Sequence, residues 1–231
     1  MNRDTFKFQS ITSGYADTVV IRDITGCVEP GQALGILGRN GVGKTTLMKS
    51  LAGFLPLMSG SVSWRQQDIL TTPAFARLDK GIAYAPQENI VFGDLTVRDN
   101  LFLHLSDKKS DCYENLLSLF PRIKERMNQR AGALSGGERK LLSFVRTMGL
   151  GKPLSMLDEP TEGVQPENID RMASFMIERK RLGSSFIIVE QNLTFIEKIA
   201  DHVCVLDHGD LVLEGAMNTL SREQIEKHLI V

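Results

Sequence analysis

No run of apolar residues in this chain is longer than a handful, and Phe186-Ile187-Ile188-Val189 is typical. A helix needs roughly 20 apolar residues to cross a bilayer, so a membrane-spanning helix is not expected. The first residues, Met1-Asn2-Arg3-Asp4-Thr5-Phe6-Lys7, lack the apolar core of a secretory signal. Charge of one sign is missing too: 27 Lys and Arg against 28 Asp and Glu leave a net −1. That balance gives no reason to expect a nucleic-acid partner or an anionic membrane. Cysteine is scarce, and Cys27, Cys112 and Cys204 are odd in number and widely spaced. This fits reduced thiols in a cytosolic protein better than a disulfide frame or a metal site. Internal repeats, low-complexity segments and long linkers are absent. A length of 231 residues suits one large domain, or a domain with a subdomain, better than two independent folds.

What is present is concentrated. Gly38-Arg39-Asn40-Gly41-Val42-Gly43-Lys44-Thr45 has the form G-x-x-x-x-G-K-[ST] of a phosphate-binding loop. The apolar stretch Ala33-Leu34-Gly35-Ile36-Leu37 reads as a buried strand entering the loop, and Thr46-Leu47-Met48-Lys49-Ser50-Leu51-Ala52 as a helix leaving it. That context separates a working loop from an ordinary Gly-rich turn. The glycines let successive backbone N–H groups face the phosphates, Lys44 would reach the terminal phosphates, and Thr45 would offer its hydroxyl to Mg²⁺. ATP hydrolysis is the predicted activity.

Elsewhere the pattern is that of an α/β core. Residues 5–11 and 17–24 read as two strands joined by a turn at Ser13-Gly14, beginning an antiparallel layer. Strands are predicted at 33–37, 61–64, 81–85, 154–157, 185–190 and 203–207, with a turn at His208-Gly209-Asp210. From 94 to 130 the strand signal disappears, and helices are predicted over 96–105 and 111–128, marking a helical subdomain of about 88–150 within a single domain of 1–231. Further helices are predicted over 136–148, from Pro166, and over 216–229. Ile169, Met172, Ala173, Met176 and Ile177 form a stripe for packing on a sheet.

Leu154-Ser155-Met156-Leu157-Asp158-Glu159-Pro160 is a short strand ending in two carboxylates. Adjacent residues leaving a strand diverge, so Asp158 can hold Mg²⁺ while Glu159 faces the attacking water. Ser135-Gly136-Gly137-Glu138 fits two readings: an S-x-x-E capping box, or a bare helix N-terminus that binds an anion. A second anion site beside one nucleotide loop suggests service to the nucleotide of another copy. Arg122, Arg126 and Arg130 are read as a solvated stripe on one helical face rather than an anion site.

With these residues in place the sequence resembles the ATP-binding cassette (ABC) family, whose L-S-G-G-Q signature corresponds to Leu134-Ser135-Gly136-Gly137-Glu138. The resemblance runs from Tyr15 to the C-terminus. It implies an α/β P-loop NTPase core with an N-terminal antiparallel β layer and an inserted helical subdomain. Tyr15 then lies where the family stacks an aromatic on adenine, although a plain turn aromatic is the alternative. Gly38, Arg39, Asn40, Gly41, Val42, Gly43, Lys44, Thr45 and Thr46 match the phosphate loop. Gln87 matches the glutamine that joins Mg²⁺ and the helical subdomain, with a surface-loop residue as the alternative. Asp158 and Glu159 match the metal carboxylate and the catalytic base, and Gln191 takes the position of the switch histidine. The resemblance also implies that two cassettes close head to tail, each signature covering the other's ATP. Closure drives transmembrane permease subunits at the cytoplasmic face of the membrane, and a solute-binding protein takes part indirectly.

Phe120-Pro121-Arg122-Ile123-Lys124-Glu125-Arg126, Glu138 in place of the signature glutamine, and Val189-Glu190-Gln191-Asn192 together resemble importer cassettes for branched-chain amino acids and amides. Asp158-Glu159-Pro160-Thr161-Glu162-Gly163-Val164-Gln165-Pro166 looks most like the urea-type members. Import of urea or a short amide is the leading expectation, with branched-chain amino acids next. Gln165, where most cassettes have an aspartate, and Gln191 bear on turnover more than on binding. A cassette that binds ATP but hydrolyses little is the competing class. The switch position also suggests a heterodimer with a second ABC ATPase subunit, a homodimer being the alternative.

Overall fold

A computed structural model describes residues 4–88, 90–104 and 111–229. The Cys112 side chain, Leu105 at the end of one predicted helix, and residues 1–3, 230 and 231 lie outside what is described.

Two sheets organise the chain. The first is antiparallel and contains β1 (Phe6–Tyr15), β2 (Thr18–Val28), β4 (Leu57–Trp64) and β5 (Gln67–Asp68) in the order β2-β1-β4-β5. The second contains β3 (Ala33–Leu37), β6 (Ile82–Ala85), β7 (Leu154–Asp158), β8 (Ser185–Glu190), β9 (His202–Asp207) and β10 (Asp210–Ala216), ordered β10-β9-β3-β8-β7-β6. Only β10 runs antiparallel to its neighbour; the other pairings are parallel. Every residue of β3, β7 and β8 is buried, as parallel strands covered on both faces require.

Helix α1 (Lys44–Leu51) lies between the sheets, with Leu47, Met48 and Leu51 packed among Phe6, Phe8, Ile36 and Val189. After α2 (Ala74–Arg77), the helices α3 (Val97–Phe102), α4 (Asp111–Leu119), α5 (Pro121–Glu125) and α6 (Gly136–Gly149) all fall between β6 and β7. They share a second core with α7 (Pro166–Arg181), α8 (Leu193–Ile199) and α9 (Arg222–Glu226). On α7, Met172, Ala173 and Met176 are buried, with Ile169 and Ile177 packed beside them, so that stripe is core packing.

Four sequence expectations are corrected. The β1–β2 turn falls at Ala16-Asp17 rather than Ser13-Gly14, with Ala16 in a left-handed conformation at φ +48°. The predicted helix over 111–128 breaks at Phe120, because Pro121 cannot donate to the preceding turn and instead opens α5. That break removes the shared face of the three arginines. Arg122 pairs with Glu125, Arg126 with Glu138, and Arg130 lies beyond the helix. The predicted helix over 216–229 shrinks to α9, capped by Ser221, since Ala216 ends β10.

Strand register then fixes the site. Leu37 pairs with Glu190, Asp158 with Val189, and Ala85 with Leu157. The carboxyl ends of β3, β8, β7 and β6 therefore deliver the glycine loop, Gln191, the two acids and Gln87 to one crevice, where open α/β sheets bind ligands.

Candidate active site

Lys44 is 4% exposed, and its ammonium donates to the carbonyls of Gly38 and Arg39, both at 2.8 Å. The loop thus wraps around its own lysine. Gly43 makes the wrap possible: it has φ +107°, and a Cβ there would meet Ile21 Cγ2 at 2.7 Å. No side chain caps the amino end of α1, which leaves its first N–H groups for a ligand. Burial lowers the Lys44 pKa, partly opposed by Glu159, whose Oε1 lies 3.5 Å away.

Thr45 Oγ1 lies 3.2 Å from Gln87 Oε1 and 3.4 Å from Asp158 Oδ1. Hydroxyl, amide and carboxylate oxygens converge there, a hard donor set of the kind Mg²⁺ takes alongside water and phosphate oxygens. The described residues hold no group of three or more His, Cys, Asp and Glu able to bind a metal. Burial, and then the Glu159 charge, pushes the Asp158 carboxyl up to about 6. A bound cation would reverse that penalty. The Tyr84 hydroxyl donates to Asp158 Oδ2 at 3.5 Å, and burial pushes the Tyr84 pKa up.

Glu159 is 4% exposed and adopts φ +48°, a left-handed conformation that costs a non-glycine residue about 1–3 kcal/mol. The surroundings hold it there. Its N–H donates to the Val189 carbonyl at 2.9 Å, Oε2 accepts from Gln87 Nε2 at 2.8 Å, and Oε1 accepts from Gln191 Nε2 at 3.2 Å. Gln191 Nε2 also donates to Asn40 Oδ1 at 2.7 Å, tying the loop to the end of β8.

The sequence-predicted residues therefore separate into groups. Lys44, Thr45, Gln87, Asp158, Glu159, Gln191 and Asn40 form one bonded cluster. Arg39 turns outward to Asp207 at 3.2 Å, and the Val42 and Thr46 side chains are buried, so these three would offer a ligand in the loop only their backbone. Tyr15 ends β1 with 48% of its surface exposed. Ser135–Glu138 stand apart at the start of α6. There the capping box forms in full: Glu138 Oε2 accepts from Ser135 N–H at 2.9 Å, and Ser135 Oγ from Glu138 N–H at 3.3 Å. The Ser135 bond holds the Glu138 carboxyl below its ordinary pKa, and Arg126 lies 3.2 Å from it. Gly137 lets α6 approach the segment after Glu159, since a Cβ there would sit 2.0 Å from the Gly163 carbonyl.

Beside this cluster, sequence reasoning missed two buried charged residues, Glu190 and Lys140. Glu190 accepts from Thr161 N–H at 2.8 Å, and from the Gln191 and Asn192 N–H groups at 3.1 and 3.2 Å, while burial pushes its carboxyl up. Its signal was an acid ending a mostly apolar strand, the same pattern that marked Asp158. Lys140 was visible as a lone cation on the apolar face of α6.

A glycine loop around a buried lysine, with a carboxylate pair at the end of β7 two strands away, defines a P-loop nucleotide-hydrolysing cassette. The chain matches the ABC transporter family over residues 21–162 and belongs to it. It is an ABC-type ATPase, from a family that binds ATP and works with transmembrane permease subunits. It is 33% identical over 210 residues to the high-affinity branched-chain amino acid transport ATP-binding protein BraG of Pseudomonas aeruginosa, covering 89% of this chain and 90% of that one. It is 32% identical to the probable branched-chain amino acid transport ATP-binding protein LivF of Archaeoglobus fulgidus, covering 94% of each. In fold it superposes on a solved ATP-binding subunit of an ABC transporter with a TM-score of 0.82 and 25% identity, covering 96% of this chain and 94% of that one. None of the helices among the described residues is long and apolar enough to cross a membrane.

Proposed function

We propose that this chain energises an importer of branched-chain amino acids, working at the cytoplasmic face of the membrane beside permease subunits and a second cassette. The observation that carries the chemistry is the bonded cluster of Lys44, Thr45, Gln87, Asp158, Glu159 and Gln191 at four adjacent strand ends. In this reading the N–H groups of 38–46 and the Lys44 ammonium hold the phosphates, exchanging carbonyl and carboxylate partners for phosphate oxygens. Thr45, Asp158 and Gln87 would hold Mg²⁺, which when bound neutralises charge on the terminal phosphates. Glu159 accepts the proton of the attacking water, and Gln191 orients that water together with Glu159. The exposed Tyr15 ring is free to stack on adenine. Ser135, Gly136, Gly137 and Glu138 face the nucleotide of the second cassette, recognised through the amino end of α6.

BraG and LivF by name serve amino-acid systems. This moves the preferred solute from urea, the first expectation from sequence, to a branched-chain amino acid. A complex purified through a tag on this chain and placed in proteoliposomes tests it: leucine, isoleucine or valine should stimulate ATP hydrolysis and accumulate. Stimulation by urea or acetamide alone would return the assignment to the urea type. A second reading, a cassette with little hydrolysis of its own, is favoured by the neutral Gln191 amide, and the retained Glu159 weighs against it.

A further inference from the structure

Lys140 lies four residues into α6 on the buried face of that helix, 8% exposed among buried Leu141, Phe144 and Val145. An ammonium in such surroundings is costly unless its three protons are bonded. All three have acceptors: the Glu159 carbonyl at 3.1 Å, the Gln87 carbonyl at 3.2 Å and Glu162 Oε2 at 3.2 Å. Two of these are the backbone carbonyls of Gln87 and Glu159, the residues whose side chains bond each other at 2.8 Å. One ammonium therefore grips through the backbone the pair that an amide joins through the side chains.

The grip bears on the strained residue. Glu159 at φ +48° has its N–H held by Val189 and its carbonyl held by Lys140. A released carbonyl lets the backbone relax out of the left-handed region, and relaxation swings the carboxylate away from Lys44 and Gln191. We infer that Lys140 is a positioning residue for hydrolysis, fixing the Glu159 carboxylate by clamping the Glu159 and Gln87 carbonyls. The inference rests on Glu159 being the base, since the Lys140 ammonium touches backbone and not the reacting atoms.

The test uses the complex purified through a tag on this chain, with Mg-ATP, measuring single-turnover hydrolysis and ATP affinity separately. Lys140→Met should slow hydrolysis by about tenfold or more while changing affinity by less than about twofold, the signature of a lost orienting contact. Lys140→Arg, which keeps charge and donors, should recover most of the rate. Glu162→Gln, which touches only the exposed partner, should leave the rate near that of the parent. Combined with Glu159→Gln, Lys140→Met should add little further loss, because both act through one group. An unchanged rate in Lys140→Met, or the same factor of loss with and without Glu159→Gln, overturns the inference. Glu159→Gln alone retaining the parent rate would instead overturn the reading of Glu159 as base. If Lys140→Met yields no folded complex, Lys140→Gln carries the same comparison with a shorter neutral donor.

Discussion

The Lys44 ammonium stands 3.5 Å from Glu159 Oε1, and the two side chains are 4% and 6% exposed. Before nucleotide arrives, the cation intended for phosphate neutralises the carboxylate beside it. Removing one member of a buried pair leaves the other uncompensated, at a cost of about 3–5 kcal/mol. Glu159 keeps its bonds from Gln87 and Gln191, which places Lys44→Ala at the low end, about 3 kcal/mol by chemical denaturation. Glu159→Gln added to Lys44→Ala should restore much of that stability. ATP affinity, read with a fluorescent analogue, should collapse in both Lys44 variants. Retained affinity would mean the loop does not hold nucleotide through this lysine.

Glu159→Gln alone should bind ATP normally and slow single-turnover hydrolysis by about 10²–10⁴, the range for loss of a general base. Amide and carboxylate have the same shape, and the held N–H of Glu159 is unaffected. Closed dimers should then accumulate with ATP. A rate near the parent's would require another residue to take the proton.

Burial, with Glu214 second, pushes the Cys204 thiol up to about 12, whereas Cys27 is exposed. Thiolate is the reactive form. Iodoacetamide at pH 8 should therefore modify the Cys27 peptide and spare that of Cys204, as read by peptide mass mapping of the native protein. The sign for stability follows. Above the ordinary thiol range the unfolded chain gives up this proton first, so Cys204 withdraws stability as pH rises towards 12. Rapid Cys204 labelling of native protein at pH 8 would contradict its burial.

The strands around the site were legible because short, mostly apolar segments admit few other readings. β3 and β8 lie where residues 33–37 and 185–190 were read. β10, half-buried at a sheet edge, and the seven-residue α8 carry no such pattern and were missed. The 111–128 helix failed because its apolar spacing outweighed Pro121, whose missing N–H starts a new helix. The same distinction holds in the site. Lys44, Asp158 and Glu159 sit in contiguous motifs, so their spacing pointed to them. Lys140 and Glu190 stand out locally only as charges on apolar elements; their partners, Gln87, Glu159 and Thr161, lie on other elements, brought near by a strand register and a helix packing that no local spacing encodes. Ser135–Glu138 supported a capping box and an anion site, and only the first is visible within one chain.

Gln191 completes the cluster as a neutral amide, donating to Asn40 Oδ1 at 2.7 Å and Glu159 Oε1 at 3.2 Å. An amide orients water and bridges the two groups, but it lacks the positive charge of a protonated histidine opposite developing phosphate charge. The site on this chain's own loop should then be the weaker of two in a closed pair. The expected partner is a second, different cassette carrying histidine at the equivalent position. Gln191→His should raise single-turnover hydrolysis at this site, most at pH values low enough to keep the imidazole charged, while Gln191→Ala should lower it by freeing Asn40 and Glu159. Native mass spectrometry of the complex counts the subunits directly. One copy of this chain and one of another cassette supports the pairing, and two copies of this chain with no second cassette refutes it whatever the variants do.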